Sequence, residues 1–446
     1  MKAKVIAVDN PMPLMTSIYF RTPMICNSVR RFRSALHSAA DTHTLVSGSK
    51  ISFTICRSVN QFNHKKWDNL VGGKSIFLST AYLIALSESS VPDTLRFITF
   101  TSGEKLVGVA ALQVTGFTSS DISGNLDVTN RIVKFLSKKL APPAGTESSV
   151  LVVGNAFATG EHAFCFADEV LPKAAMDSLC LVVTQVLEEE EKSGRKISAV
   201  LVKDFNPQSN AWPEALARCG FATFSVDRNM VMPVLPDWKS FDDYMASLNS
   251  KFRTKALSAL RKSSGLSIAE LPAELMTAHS AEMKSLFAQV IARADFKMGD
   301  LTIESLIAMK KKLGDDMIVR GYFLEKRLVG FLVAFVYNRV FDAHIVGFDY
   351  SLNRAYAIYQ TILYGYIREA IEIGVCEIRF GRTAGEIKSS VGALPVELSC
   401  CIKHTSKLSN FLLNILFAYV KPSDFPKRHP YKKEIEQKIE SEIMTH

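Results

Sequence analysis

The densest group of polar side chains in the sequence follows a β-type run that ends at Phe380. Residues 378–397 read IRFGRTAGEIKSSVGALPVE and include Arg382, Glu386 and Lys388. Functional side chains concentrate in loops at strand ends. A lysine there can polarise a carbonyl, or stabilise the oxyanion that forms when an amine attacks an acyl group. We predict that Lys388 is catalytic and that Glu386 can relay the amine proton; the structural alternative is an Arg382–Glu386 ion pair.

A second group lies on the predicted strand Val340–Phe348. Asp342 and His344 are alternate residues of this strand, so they point to the same face. A histidine beside a carboxylate can serve as a general base with its orienting partner. We predict this pair as catalytic, against the alternative of a histidine that is simply hydrogen-bonded within the sheet.

After this strand, the polar turn DYSLNR (349–354) leads into a helix predicted to begin near Ala355. The free amides of a helix N-terminus attract anions, and Arg354 would reinforce that charge. Tyr359 belongs to an apolar stripe of the same helix, which we interpret as core first and site second. Arg354, Tyr359 and Arg382 are predicted to bind substrate or phosphate.

The sequence also contains a strongly basic amphipathic segment, SLNSKFRTKALSALRKSSG (247–265). Apolar residues recur at three- and four-residue spacing, which leaves most of the cations on the other face of a helix. No acid occurs between residues 251 and 262, and arginine gives bidentate phosphate contacts. We predict a phosphate-binding face, with a solvated surface as the alternative, formed by Lys251, Arg253, Lys255 and Arg261.

Other candidate motifs carry less information. The run LVVGNAFATGEHAFCF (151–166) has the spacing of neither a phosphate loop nor a dinucleotide fingerprint, so we interpret it as a connecting loop. The adjacent Glu161 and His162 do not form a zinc-protease helix, and the eight cysteines form no C-x-x-C pair. We predict reduced thiols and no metal site.

Two halves of the chain repeat one pattern. A β-hairpin pattern with a polar turn covers 96–114 and again 318–336, with Leu-Val-Gly at 106–108 and 328–330. Each hairpin is later followed by a helix, a glycine and a strand. We predict a mixed α/β fold of two similar units, against the alternative of chance recurrence. The predicted divisions are an extension at 1–50, units at 51–235 and 236–420, and a solvated basic tail at 421–446.

Composition excludes a disordered, fibrous or membrane-spanning chain. Of 446 residues, 48% are hydrophobic and 22% charged, which is ordinary globular usage. The net charge of +9 favours anionic partners. The late apolar run 411–420 is shorter than the roughly 20 residues that a span requires. With no secretory signal pattern at the N-terminus, we predict a cytoplasmic protein.

With these motifs in place, the sequence resembles the FemAB-like branch of the GNAT acyltransferase superfamily over about residues 60–405. The resemblance rests on the duplicated hairpins, the basic helix, the series of elements from 340 to 380, and segment 378–397. Within that segment Ile387-Lys388 stand where the family has an aromatic-lysine pair, and Gly392 follows. The resemblance implies tandem GNAT-like units, Lys388 at the acyl-transfer site, and phosphates near the basic helix.

The acetyl-CoA loop of the wider superfamily is not found at 352–359, and this chain lacks the long helical hairpin of several Fem enzymes. Acyl-CoA and aminoacyl-tRNA therefore both stay open as donors. We predict an N-acyltransferase that moves an acyl or aminoacyl group from a thioester or ester donor to a primary amine, with no permanently bound cofactor and no DNA partner.

Two alternatives remain. The first is an acyl-CoA-dependent enzyme acting on a long-chain amine or lipid precursor as a peripheral protein at the inner membrane face, suggested by apolar residues 408–420 and the cations that follow. The second is a tandem fold that binds RNA or another anion without catalysis.

Overall fold

Helices and strands alternate along most of the chain. The computed structural model describes residues 44–46, 49–89, 94–117, 148–225, 228–293, 301–417 and 425–445, so most of the predicted extension 1–50 lies outside the described residues. The strands are β1 (Thr44–Val46), β2 (Ser49–Cys56), β3 (Leu95–Ser102), β4 (Lys105–Phe117), β5 (Ser148–Val153), β6 (Phe164–Phe166), β7 (Ile197–Phe205), β8 (Ala222–Ser225), β9 (Asn229–Pro233), β10 (Leu266–Glu270), β11 (Met317–Leu324), β12 (Arg327–Tyr337), β13 (Val340–Phe348), β14 (Glu377–Arg379), β15 (Leu394–Val396) and β16 (Ser399–His404). The helices are α1 (His64–Val71), α2 (Thr80–Ser89), α3 (Pro172–Lys192), α4 (Ala211–Arg218), α5 (Phe241–Ser247), α6 (Ser250–Lys262), α7 (Ala273–Ala278), α8 (Ser280–Ile291), α9 (Ile303–Leu313), α10 (Tyr350–Tyr356), α11 (Ile358–Ile373), α12 (Gly385–Val391), α13 (Lys407–Phe417) and α14 (Lys433–Thr445).

The strands form two mixed sheets with matching order. The first runs β1-β2-β3-β4-β5-β7-β16-β8, with β6 paired to β4, and the second runs β10-β11-β12-β13-β14-β9-β15. Each contains one parallel pair, β5 with β7 and β13 with β14, and the other pairs are antiparallel. The predicted mixed α/β fold is confirmed.

The two hairpins repeat even in their irregularities. In β3–β4 the register shifts so that Val107 has no partner, and in β11–β12 the same happens at Val329. Both valines are the central residue of a Leu-Val-Gly triplet. A bulge of this kind twists the strand locally. The recurrence therefore extends from the sequence pattern to the backbone register.

The two halves of the chain exchange strands. β8 pairs in the first sheet and the next strand, β9, pairs in the second. Near the other end, β15 pairs in the second sheet and β16 returns to the first. The division at residue 236 thus separates the sheets except for these two exchanged strands, and the predicted units stay a prediction. Residues Thr42–His446 form one compact unit.

One predicted helix boundary is wrong. The helix expected near Ala355 begins at Tyr350, because the Asp349 carboxylate accepts from Ser351 N at 2.9 Å and caps it. Ala357 then adopts a left-handed conformation and separates α10 from α11. The basic segment 247–265 also contains a helix boundary, since Leu248 and Asn249 separate α5 from α6 and the Asn249 side chain caps α6.

The predicted solvated tail is only partly solvated where the structure describes it. Within residues 425–445, Tyr431 and Ile439 are buried in the core, and Tyr431 forms a β-bridge with Leu248. The last helix is amphipathic and supplies Ile439 to a cluster that includes Trp238. Only the hydrophilic face of this end is solvated.

One apolar cluster joins the two sheets. The ring of Phe77 lies 5.3 Å from Phe335, and Tyr82 lies 6.0 Å from the same ring. Elsewhere the first sheet buries an ion pair between Arg96 and Glu190, both almost fully inaccessible. No helix in the described residues is long and apolar enough to cross a membrane.

Candidate functional site

Lys388 is a buried lysine that forms no ion pair with a carboxylate of the described residues. Its Nζ donates to the carbonyl oxygens of Phe380 at 2.5 Å and Gly381 at 3.3 Å. The side chain is on α12 and only 5% of the residue is exposed. Burial lowers the pKa of Lys388 to about 7. An ammonium has three donors, so one N–H remains for another acceptor.

A strap, defined as residues 425–432, packs along α12. The Phe425 ring fills the space beside Gly385, where an added Cβ would lie 2.6 Å from the ring. Tyr431 fills the space beside Gly392, where an added Cβ would overlap its hydroxyl. Both glycines therefore permit the close approach of the strap that holds the Lys388 helix.

Arg428 of the strap contacts the outer side of α12. Its Nη2 lies 2.5 Å from Glu386 Oε1, and its backbone N donates to Ser389 Oγ at 3.1 Å. The Glu386 carboxylate is half-exposed in this ion pair. The Arg382–Glu386 pair considered from the sequence is not formed, because Arg382 pairs with Asp204 instead. A role for Glu386 in proton transfer stays a prediction.

Asp342 and His344 lie side by side on β13, both with buried side chains. His344 Nδ1 is 3.4 Å from Asp342 Oδ1. The register between β12 and β13 shifts after Val333 and leaves His344 without a cross-strand partner. Bulges of this type re-aim side chains and are frequent beside active sites. His344 Nε2 has no hydrogen-bond partner among the described residues.

A second histidine, His162 from the first half of the chain, lies near His344, and both rings contact Phe77. His162 Nδ1 lies 2.8 Å from Ser75 Oγ, and its ring centroid is 4.6 Å from that of Phe77. Phe77 also contacts the His344 ring, at 5.3 Å. Burial lowers the pKa of His162 to about 4, although the Asp342 carboxylate opposes this shift. His162 is therefore neutral at pH 7, and its Nε2 also has no partner in the described chain.

A buried carboxylate, Asp204, ties segment 380–382 to the first sheet. It pairs with Arg382, accepts from Gly160 N at 3.1 Å, and lies 3.8 Å from Lys203 Nζ. Burial alone raises the pKa of Asp204, but the Lys203 and Arg382 cations outweigh it and hold the pKa below its ordinary value. Asp204 has φ 67, an uncommon conformation that persists only where surrounding contacts impose it.

Sequence reasoning did not select Ser75, His162, Lys203 or Asp204. The loop read as a plain connection is held by Lys203 Nζ, which donates to the carbonyls of Asn155 and Ala158 at 2.9 and 3.0 Å. The sequence signal near His162 is the glycine-rich spacing of 151–166, which matches neither a phosphate loop nor a dinucleotide fingerprint. Nothing local marks Ser75 or Asp204, since their partners are distant in sequence.

The predicted phosphate-binding residues of the basic helix lie together on α6. Lys251, Lys255 and Arg261 are exposed and Arg253 is half-buried. In the part of the chain that the structure describes, none of them pairs with a carboxylate. The helix therefore presents a positive surface that its own neighbours do not neutralise.

Two other predicted binding residues are placed differently. Arg354 is exposed in the last turn of α10, and α11 begins four residues later at Ile358. The Tyr359 ring stacks on Phe348 with ring centroids 5.3 Å apart, and its backbone N donates to Asn353 Oδ1 at 2.9 Å. Both residues contribute to the α10–α11 corner.

The described residues contain no group of three or more histidine, cysteine, aspartate or glutamate side chains that could hold a metal ion.

Comparisons with known proteins give structural likeness only. No family model matches the chain, and no curated protein matches it significantly. Solved structures to which it is similar include the crystal structure of FemX (TM-score 0.47, 11% identity, covering 78% of this chain and 96% of that one). Another is L-PGS from Bacillus licheniformis (TM-score 0.44, 10% identity, 80% and 97%). A third is a tandem GNAT protein from the clavulanic acid biosynthesis pathway (TM-score 0.47, 10% identity, 80% and 99%). All three TM-scores lie below 0.5, and all three identities are 11% or less.

Because His162 is buried and neutral, we expect the free energy of unfolding to depend on pH. The unfolded chain binds a proton at this histidine near its ordinary pKa of 6.5, whereas the folded chain binds it only near 4. The free energy of unfolding should therefore fall as pH drops from 6.5 to about 4, by up to roughly 3 kcal/mol from this group. Urea unfolding at several pH values should show a shallower fall for His162→Gln. Equal slopes for the variant and the wild type would contradict the assignment.

Because Gly392 and Tyr431 are in close contact, we expect that adding one methyl group at residue 392 displaces the strap. Gly392→Ala should make trypsin cleave after Lys427 and Arg428 at least about tenfold faster, because the added Cβ overlaps the Tyr431 hydroxyl. Gly374→Ala is the matched control, since Gly374 also has positive φ but has open space around it. Similar cleavage rates for the two variants would show that backbone strain, not the strap contact, is responsible.

Proposed function

We propose that this protein is an N-acyltransferase that moves an acyl or aminoacyl group from a thioester or ester donor to a primary amine. The observation that carries the proposal is the buried Lys388 ammonium, for which the described residues supply two carbonyl acceptors and no carboxylate, so that one N–H is unused there. A donor fixed in a water-poor site stabilises a developing oxyanion far better than water does. The resemblance of segment 378–397 to the lysine motif of Fem transferases supports the same role.

The reaction requires one bond to form and one to break. The neutral amine attacks the acyl carbon, and the carbonyl electrons move onto oxygen, where Lys388 donates a hydrogen bond. Collapse of this tetrahedral intermediate expels the thiolate or alkoxide and leaves an amide. Holding the donor and the amine together supplies much of the rate.

The amine must also lose a proton. His344, oriented by Asp342 at 3.4 Å, is the group we assign as the base, because its Nε2 is unpartnered in the described structure. Glu386 is a second, more exposed acceptor for the same proton. In the product, the leaving group takes up a proton from the base or from water.

The unneutralised cations of α6 are the proposed contact for donor phosphates. Acyl-CoA and aminoacyl-tRNA both carry phosphates that Arg253 and Arg261 can bind in a bidentate manner. Neither donor is a permanently bound cofactor. We also propose a cytoplasmic protein whose two units, 51–235 and 236–420, each contribute to the site.

A specific observation favours a second form of this activity, in which the acceptor is a long-chain amine or lipid precursor. On α13, Leu408 is 65% and Phe411 is 63% exposed, and they lie three residues apart on one helix face. Apolar side chains with this degree of exposure can enter a lipid surface. The Lys407 cation lies beside them on α13. A non-catalytic RNA-binding role has only the α6 cations in its favour.

Lys388→Met should abolish amide formation while the fold persists, because it removes the proposed oxyanion donor; the loss in kcat should be at least about 100-fold. In the wild type, kcat should rise with pH as the amine is deprotonated and fall above about pH 7 as Lys388 loses its proton. Mass spectrometry of the amide product, with acetyl-CoA, long-chain acyl-CoA and aminoacyl-tRNA as donors, measures both effects.

Lys310→Met is the matched control for this variant. Lys310 is also buried, and its Nζ also donates to two carbonyls, those of Gly314 at 3.0 Å and Met317 at 2.7 Å. A comparable loss of stability with normal turnover is expected. Normal turnover in a folded Lys388→Met variant would remove Lys388 from the mechanism.

The lipid-surface form predicts binding to anionic liposomes that depends on α13. Leu408→Ser with Phe411→Ser should reduce co-sedimentation several-fold, because the apolar contact with the acyl region is lost. Turnover with a soluble amine should not change. Absence of sedimentation in the wild type would leave only the soluble acceptor.

A further inference from the structure

A pocket of about 350 Å³ opens between α6, α11 and the β10–β11 edge of the second sheet. None of Lys388, Asp342 and His344 lines it. Its walls include Leu260 and Ile268 together with the Tyr364 side chain, so one part of the pocket is apolar. Ile268 is 51% exposed at this edge, which is unusual for a large aliphatic side chain in a sheet.

The other part of the pocket is charged but mostly neutralised. Arg320 donates to both oxygens of Glu369, at 2.6 and 2.9 Å, and lies 3.3 Å from Glu270. These three residues satisfy one another. Together they carry one net negative charge, which the Lys310 ammonium, 3.9 Å from Glu270, offsets.

Arg368 is the exception in this lining. Its guanidinium stacks on the Phe241 ring at 4.8 Å, and no carboxylate in the described residues lies within 4 Å of it. Stacking fixes the plane of the guanidinium and leaves its N–H groups available. Arg261 and Lys262 follow the lining residue Leu260 in the chain, and neither forms an ion pair with a carboxylate of the described residues. Arg368 is therefore the charged lining residue that no carboxylate of the described chain neutralises.

A buried donor without a partner lies beside this pocket. Tyr322 is fully buried, and its hydroxyl forms no hydrogen bond in the described chain. The hydroxyl lies against Gly365 of the pocket wall, where an added Cβ would overlap it. Burial raises the pKa of the phenol, so it stays a donor. A native structure rarely leaves such a group unsatisfied, and an acceptor on a bound ligand is one way to satisfy it.

We propose that this pocket binds an organic phosphate, with the phosphate group against Arg368 and an apolar or aromatic body against Leu260, Ile268 and Tyr364. A phosphate dianion is favoured over a carboxylate, because the Arg368 guanidinium can bind two phosphate oxygens and the second negative charge strengthens the attraction. The volume of about 350 Å³ accommodates a body of nucleoside or short alkyl size. The inference goes beyond acyl transfer, because it requires only equilibrium binding.

The test is isothermal titration calorimetry of the full chain with four probes: AMP, hexyl phosphate, hexanoate and inorganic phosphate. AMP or hexyl phosphate should bind at least about tenfold more tightly than inorganic phosphate and hexanoate, because only they combine the dianion with a body. Tighter binding of AMP identifies a nucleotide as the source of the phosphate, and tighter binding of hexyl phosphate identifies a lipid. Equal affinity for all four probes, or no binding at millimolar concentration, overturns the proposal.

Variants locate the binding in this pocket. Arg368→Gln should weaken the preferred probe about tenfold, through loss of a charge-assisted contact. Ile268→Ser should weaken the same probe but leave inorganic phosphate unchanged. The matched control is Lys311→Gln, which removes a positive charge from an exposed position on α9 that does not line the pocket.

Unchanged affinity in Arg368→Gln overturns the proposal even if the wild type binds the probe. Each variant should keep the wild-type circular dichroism spectrum, since Arg368 and Ile268 are exposed. Failure of this test leaves the Lys388 assay untouched. The two proposals can therefore fail separately.

Discussion

The exchange of strands between the two sheets is the constraint on which the rest of the site depends. Segment 377–404 begins in the second sheet as β14, pairs there again as β15, and enters the first sheet as β16. α12 and Lys388 lie in the middle of this path, so both ends of their segment are fixed by backbone hydrogen bonds. A short helix in a free loop could not bury a lysine, because helices of this length are marginal without tertiary contacts.

Burial then assigns opposite roles to two charged groups of the same region. Asp204 is surrounded by Lys203, Arg382 and the Gly160 amide, so the ionised form is the stable one and the group acts as a structural anchor. Lys388 has only carbonyl oxygens near its Nζ, and its charge is not compensated by an acid. The same low dielectric that stabilises the Asp204 pair brings the pKa of Lys388 to about 7. Both groups are buried, but only Asp204 is paired with opposite charges. This pairing makes Asp204 a structural anchor, whereas Lys388 can exchange a proton.

The sequence predicts those features that local pattern determines. The hairpins follow from alternation around polar turns, and the shared face of Asp342 and His344 follows from the two-residue period of a strand. The break at Ala357 could not be predicted, since alanine carries no signal for a left-handed conformation. His162 and Ser75 meet across 87 residues, and no local pattern contains such a contact. The buried tail was missed for the same reason: its partners are Gly385, Gly392 and Leu248, all far from it in the chain.

The strap also joins two elements that the sequence suggested separately. Asn249, which caps α6, donates to the Pro430 carbonyl at 2.8 Å through its backbone and to the His429 carbonyl at 3.1 Å through its side chain. Arg428, one residue earlier, contacts α12 through Glu386 and Ser389. The cations of α6 and the ammonium of Lys388 are therefore supported by the same stretch of backbone. In the reaction that we propose, this support would keep a donor phosphate on α6 at a set distance from the reacting carbonyl, and orientation of that kind lowers the entropic part of the barrier.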